Sequence, residues 1–523
     1  MPRDDLIETT SKSLGDADSL HALGDFSGAI ATYLEVLHGD DSSIPAWWGL
    51  GSAFASRNQH AAAVQCFLRL VELAPGAVEA HHNLGKCLFE LGEIDAALDA
   101  FRKAVLVAPN PKSLGMIAMI IPGSPRASLK AILDARQAWA AILPVTERPA
   151  RLIQRGDGPI RVGYVSSFLH RRNWMKPVWG LINAQDRDRF RVVLFSDAPS
   201  ASFGQEYRRD EHDTFVDITG KSNVEVAQLV RKHHIHILVD LNAYSRFERL
   251  PLFALRPAPV QIEWFNLFAT SGMTCFDALI GDNEVIQPED AAFFTERLIR
   301  APGCYLTFEV GYPVPEVAPS PSSSGKAFTF GCLAPQYKIC PEVIQAWAAI
   351  LEEATRSRLN LKSSFLGIEG NREYLRDKLV SAGIDLSRVT FDGPAEHFAF
   401  LKAYEDIDLV LDTFPYNGGT TTTEALWQGV PTLTFAGDRW IGRISATLLR
   451  HAGLGEYVAD DLPGYIRQAI AIANDPEMPS RLGALRTGLR EKLRTTSVCD
   501  VNRFARSMES IYLKLWNEQK FES

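Results

Sequence analysis

Over most of the chain, short apolar runs rich in β-branched and aromatic residues alternate with stretches of helical period. From residue 159, PIRVGYVSSF, FRVVLFSDAP, HIHILVDLNAY, VQIEWFNLF and FDALIGD read as strands, with NVEVAQLVRKHH among the helices between them. A second set runs KAFTFGC, LNLKSSF, RVTFDG, LVLDTF and PTLTF, with PEVIQAWAAIL and PAEHFAFLKAYE as helices. Strands alternating with helices predict mostly parallel sheets, hence two doubly wound α/β domains, at 158–318 and 326–523. The tail from Leu462 is largely helical, and SMESIYLKLWNEQ within it is amphipathic.

The sharpest local pattern is DTFPYNGGTTTTEALWQGVPTLTFAGD, from Asp412 to Asp438. A strand breaks at PYNGG, a helix opens on four threonines and stops at Gly429, and PTLTF is the next buried strand. In such a βαβ unit the loop beyond the first strand's carboxyl end is where ligands bind. Gly418 and Gly419 let backbone approach a ligand, and the hydroxyls of Thr420, Thr421 and Thr422 stand with the free N–H groups at the positive end of the helix dipole. That suits phosphate. An ordinary capped loop uses the same residues, and both readings stand at this point.

The first part of the chain repeats at 34 residues. Gly51 matches Gly85; Ala29 matches Ala63 and Ala97; Tyr33 matches Phe67 and Phe101; Pro75 matches Pro109. Small residues where two helices touch, an aromatic one turn on and a closing proline make the tetratricopeptide pattern, with about three repeats over 16–112. Each helix pair buries its apolar stripe only by stacking on a neighbour. The array is either a concave surface for a protein or peptide, or a packing extension of the first α/β domain. Residues 113–157 read as connecting helices, with ASLKAILDARQAWAAIL strongly helical, and IQRGDGP as a linker.

Composition narrows the function. A hydrophobic content of 46% and a charged content of 22% describe a globular chain, and a net charge of −9 argues against a nucleic-acid footprint. No apolar run approaches the roughly 20 residues that span a bilayer. The N-terminal MPRDDLIETTSKSLGDADS lacks a secretion pattern, and the seven cysteines are odd in number and scattered. A cytoplasmic protein with no membrane partner is the expectation. His233, His234 and His236 have no carboxylate or thiol at ligand spacing, which disfavours a metal. The pairs Asp16/Asp18, Asp186/Asp188 and Asp406/Asp408 read as caps rather than metal ligands. A bound diphosphate would then meet Lys338, Arg443 and the helix end, which needs no cation. Asp240, Asn242 and Tyr244 stand at a strand's carboxyl end, either working residues or polar groups that satisfy the core.

RVGYVSS, HILVDLNAYS, LFALRPAPVQ, YKICPEV and LDTFPYNGGTTTTEALWQGVPTLTFAGDRWIGR together resemble the catalytic region of the protein O-GlcNAc transferases, a family that includes bacterial homologues and the plant SPINDLY proteins. The resemblance covers about residues 16 to 517. It implies a GT-B fold, two facing Rossmann-like domains behind the repeats. It also implies inverting, metal-independent transfer of a sugar, by default GlcNAc from UDP-GlcNAc, to Ser or Thr of a protein presented by the repeats. By the same resemblance Lys338 meets the diphosphate, the Asn417–Thr422 turn holds phosphate, Glu424 meets the ribose and His397 the nucleoside. Gln336 and Lys362 lie on the nucleotide side, and His236 and Asp240 are candidate bases.

The chain departs from the family at three places. FLHRRNWMKP comes after RVGYVSS, so the family's histidine near acceptor and sugar is replaced by Arg172 or shifted to His170. NLFATSG replaces a Gly-Tyr-Pro-Gly-Thr-like loop, and Gln336 stands one position late behind Pro335. Gly419 also occupies a position where many members carry histidine. The first three changes fall on the sugar and acceptor side. They leave room for another donor sugar or an Asn acceptor, as in a dedicated flagellin or adhesin transferase, and for a non-catalytic adaptor that keeps the nucleotide site. A homo-oligomer is compatible with each.

Overall fold

The computed structural model describes residues 3–144, 158–200, 203–204 and 206–519, with side chains from residue 13 onward. Residues 145–157, which include most of the expected linker, and the last four residues of the expected 326–523 domain lie outside the described residues.

The first sheet takes β1 (Ile160–Ser166), β2 (Phe190–Ser196), β3 (Thr214–Asp217), β4 (Ile237–Asp240), β5 (Val260–Trp264), β6 (Ala278–Gly281) and β7 (Leu298–Arg300). Their order is β3-β2-β1-β4-β5-β6-β7, every adjacent pair parallel. The second takes β8 (Thr329–Cys332), β9 (Arg358–Lys362), β10 (Val389–Asp392), β11 (Leu409–Leu411), β12 (Thr432–Phe435) and β13 (Val458–Ala459) in the order β10-β9-β8-β11-β12-β13. The expected strands are all present. Most of them lie inside the sheets, and β4 and β5 are buried at every position, as strands covered on both faces are; β10 is the exception, an edge strand expected from RVTFDG. β3, β7 and β13 lie at sheet edges and are two to four residues long, too short and too exposed to leave an apolar run.

The chain divides into two compact units, Met1–Arg126 with Gly331–Glu396, and Ala127–Phe330 with His397–Ser523. The segment expected as one second α/β domain therefore contributes to both.

In the first unit, α1 (Arg3–Ala22), α2 (Phe26–Gly39), α3 (Ile44–Ser56), α4 (His60–Leu73), α5 (Val78–Glu90), α6 (Ile94–Val107) and α7 (Pro111–Ile120) make three helix pairs and a further helix among the described residues. The period-34 positions form its core: Ala29, Ala63 and Ala97 are fully buried, as are the rings of Phe67 and Phe101. A Cβ at Gly85 would sit 2.8 Å from the Phe101 ring, so the small residue is what lets the two helices close. Each buried aromatic contributes about 2–3 kcal/mol by area.

In the second unit the Val501–Glu518 helix packs back on the first sheet. The Tyr512 and Tyr164 hydroxyls meet at 3.3 Å, Glu509 accepts the Asp186 N–H at 2.8 Å, and Trp516 packs on His236. Among the described residues no helix is long and apolar enough to cross a membrane, and no group of three or more His, Cys, Asp or Glu is placed to hold a metal ion. The paired aspartates serve the fold: Asp18 accepts the Tyr33 hydroxyl, Asp186 the Asp188 N–H, and buried Asp408 the N–H groups of Ser322 and Thr329.

Candidate active site

The turn after β11 is built by its own carboxylate. Asp412 accepts the N–H groups of Thr413 (3.0 Å) and Gly418 (2.8 Å) on one oxygen and the Thr434 hydroxyl on the other (2.8 Å). Asn417 donates its side-chain amide to the Thr413 carbonyl at 2.8 Å. A side chain at Gly418 would meet the Thr422 and Thr421 hydroxyls at 2.5 and 2.7 Å, so only glycine fits. The helix Thr420–Trp427 begins at Gly419 with no side chain capping it. The four threonines therefore do not act as the expected caps. Thr422 bonds the Ser445 hydroxyl at 2.8 Å and Thr423 the Thr420 carbonyl at 2.8 Å, while Thr420 and Thr421 remain half-exposed at the helix start. An uncapped first turn with a glycine approach is an anion-binding arrangement.

One turn further on, the same helix presents Glu424. It is 3% exposed, His397 Nε2 lies 2.8 Å from its Oε1, and the His397 ring packs edge-on against Tyr312. The two residues that the resemblance assigns to ribose and nucleoside are thus brought into one pair. The Lys176 ammonium, also 3% exposed, lies 3.7 Å from the same carboxylate oxygen and over the Tyr312 ring. Burial pulls the Lys176 pKa down, and Glu424 partly restores it. Sequence reading did not single out Lys176. The signal was available in KPVWGLINA, where one lysine opens an otherwise apolar helix.

In the first unit, Gln336, Tyr337 and Lys338 form a 3₁₀ turn between β8 and the Pro341–Glu353 helix, which opens on Pro341. Lys338 is buried to 8% exposure. Gln336 is fully buried and donates to the Asn371 carbonyl at 3.4 Å. Lys362 ends β9, in register with Asp392 of β10.

Several candidates turn out to hold the scaffold. Arg443 is buried in an ion pair with Asp290 and donates to the Gly437 carbonyl at 2.9 Å, so its charge is already met within its own unit. Tyr244 is packed under Arg136 and donates to the Ser271 carbonyl at 2.7 Å. Asn242 is fully buried and accepts the Ser167 N–H at 2.7 Å, tying the β4 loop to the β1 loop. Arg172 pairs with Glu206 at 3.7 Å, and His170 is half-buried beside it in chain order, its pKa lowered by burial and Arg171. His236 stands at the amino end of β4, where it accepts the Arg161 N–H at 2.8 Å. The full length of β4 separates it from Asp240, so the two candidate bases do not share a site.

Asp240 accepts the N–H groups of Asn242 (2.9 Å) and Ala243 (3.0 Å), which fixes the loop after β4. Beside it in register is Glu263, fully buried, with neither oxygen hydrogen-bonded among the described residues. Burial raises Asp240 to about 7 and Glu263 well above the usual range, against the pull of Arg136 on Glu263; Glu296 and Asp240 add to the rise at Glu263. Asp240 has the backbone donors, so Glu263 is the member that stays protonated. Because both acids are raised in the folded state, their contribution to stability is complete below about pH 4 and is lost as pH rises through 7. The loss is about 1.4 kcal/mol per pH unit for each acid that the fold holds protonated while the unfolded chain has ionised it. Denaturant midpoints followed from pH 5 to 8 should fall more steeply for the native chain than for Glu263→Gln. Parallel curves would show that Glu263 is ionised in place.

The profile of glycosyl transferase family 41 matches residues 145–311 and 323–508, and that of the tetratricopeptide repeat matches 14–78 and 49–113. The fold is similar to that of the O-GlcNAc transferase of Thermobaculum terrenum, solved as a lysine-to-methionine variant, with 30% identity and a TM-score of 0.82 over 99% of each chain. The chain is 33% identical over 370 residues to a probable UDP-N-acetylglucosamine–peptide N-acetylglucosaminyltransferase SPINDLY of Hordeum vulgare, covering 69% of this chain and 38% of that protein. For the SPINDLY protein of Arabidopsis thaliana the values are 32% over 371 residues, 69% and 40%. The chain spans about two-fifths of the length of these plant relatives. With the repeat array, the two parallel sheets and two-thirds of its length matched, the chain belongs to glycosyl transferase family 41.

Proposed function

We propose that this chain transfers a sugar from a nucleoside diphosphate to Ser or Thr of a protein acceptor, inverting the anomeric centre and without a metal ion, in a cytoplasmic setting. UDP-GlcNAc is the default donor, as the names of the relatives suggest. The observation that carries the reading is the Glu424–His397 pair, which gives a nucleoside two adjoining polar groups directly behind an uncapped, glycine-fronted helix start. Glu424 accepts the ribose hydroxyls, the first turn at Thr420 and Thr421 takes phosphate, and Lys338 neutralises the diphosphate as it leaves. The acceptor oxygen bonds to the anomeric carbon while the bond from that carbon to the β-phosphate oxygen breaks. The hydroxyl proton passes to a base and the electron pair departs on the diphosphate. A cation on that oxygen acts mainly in the transition state, where the charge develops.

A second reading keeps this fold and chemistry with another donor sugar or an Asn acceptor. It is favoured by the substituted loop after β1, where Arg172 is engaged with Glu206. Both readings are tested by initial rates of nucleotide release from UDP-GlcNAc, UDP-glucose and GDP-fucose with and without EDTA. Release from one of them, unchanged by chelator, is expected. A strict requirement for magnesium or manganese would overturn the metal-free reading, and no release from any donor would favour a binding-only adaptor.

A further inference from the structure

The repeats touch the turn that carries Lys338. Three left-handed residues recur at the 34-residue period, Gly24, Asn58 and Gly92, with φ of 82°, 57° and 88°, each closing one helix pair. Two of them meet the 331–396 segment of the same unit. The Asn58 carbonyl accepts the Asn371 side-chain amide at 2.7 Å, and Asn371 in turn accepts the Ala61 N–H at 3.1 Å. Gly92 lies against the turn itself: an added Cβ would collide with the Ile339 carbonyl oxygen and stand 3.2 Å from that of Gln336. One turn earlier on α5, Phe89 stacks on Tyr337, with ring centroids 4.9 Å apart and planes 22° from parallel. Glu93 is held by the Tyr374 hydroxyl at 2.9 Å and by Lys378 at 2.6 Å. On its other side the turn is fixed by the Gln336 amide on the Asn371 carbonyl.

A three-residue 3₁₀ turn has little rigidity of its own, and its lysine is useful only if the ammonium stands where charge develops. We propose that Phe89 and Gly92 of the third repeat are positioning residues for Lys338, so that the array sets the geometry of the leaving-group cation. The inference rests on the role given to Lys338 in the proposed function. It also explains why glycine is needed at 92 beyond its backbone angle, since Gly24 has the same angle with nothing within 4 Å.

Gly92→Ala is the direct test, with Gly24→Ala as the control for backbone strain alone and Phe89→Ala as a variant that adds none. Each is compared with the native chain in nucleotide release at saturating donor and in affinity for UDP and for uridine. Gly92→Ala and Phe89→Ala are expected to slow release by about 10- to 100-fold, as misplacement of a catalytic group by an ångström does. They should also weaken UDP without weakening uridine, while Gly24→Ala behaves as native. Turnover and a UDP-to-uridine ratio equal to those of Gly24→Ala would overturn the inference, as would an equal loss of uridine and UDP affinity, which would mark a merely structural role. A native chain that binds neither UDP nor GDP would overturn the donor-site reading itself, and that result is seen before any variant is compared.

Discussion

Lys338→Ala is expected to lower nucleotide release and sugar transfer by about 10²–10³-fold, the loss caused by removing one preorganised group from a developing anion. The unfolding transition should stay close to that of the native chain, because the turn is held by Gln336, Tyr337 and the neighbouring backbone. The binding of uridine should also persist, since the groups assigned to the nucleoside, Glu424 and His397, lie on other elements. Substitution by arginine keeps the charge on a longer, planar head and should recover only part of the rate. Undiminished turnover in the alanine variant would remove Lys338 from the mechanism.

Glu424→Ala should produce the largest loss of stability. Lys176 and Glu424 have side chains only 3% and 2% exposed, and the carboxylate is the counter-charge that makes a buried ammonium tolerable at that place. Removing one partner of a buried pair costs about 3–5 kcal/mol, because the other is left uncompensated. Replacing both, as Lys176→Met with Glu424→Ala, should recover much of that loss while nucleoside binding stays absent. Chemical denaturation of the two single variants and the double variant measures the coupling. A Glu424→Ala loss below about 1 kcal/mol would mean that Lys176 is neutral or solvated in the folded chain, as for exposed pairs.

The fold was legible wherever burial forced a pattern. Central strands such as LVLDTF open on an apolar run, VQIEW alternates Val260, Ile262 and Trp264 with polar residues, and Ala63, Phe67 and Gly85 repeat at 34 residues because each sits where two helices must touch. Edge strands β3, β7 and β13 were not, since half-exposed strands of two to four residues need no such run; the edge strand β10 was legible through the β-branched and aromatic residues of RVTFDG. The turn at Asn417–Thr422 could be found from its glycines and threonines, but which hydroxyls turn inward depends on Ser445, 23 residues beyond Thr422. Arg443 shows the same limit. A sequence shows an available cation, and only the fold shows that Asp290, 153 residues away, already takes it. His236 and Asp240 are close in sequence, yet β4 carries them at its opposite ends. Lys176 became visible only when Glu424 was brought beside it.

Donor binding is the central claim, and a calorimetric titration of the purified chain with UDP-GlcNAc, UDP-glucose and GDP-fucose in EDTA measures it. Saturable binding of one nucleotide sugar, lost in Glu424→Gln and retained by the bare nucleoside diphosphate, is the predicted result. Heats indistinguishable from dilution for all three donors and for UDP would contradict the assignment of a nucleotide-sugar site to this chain.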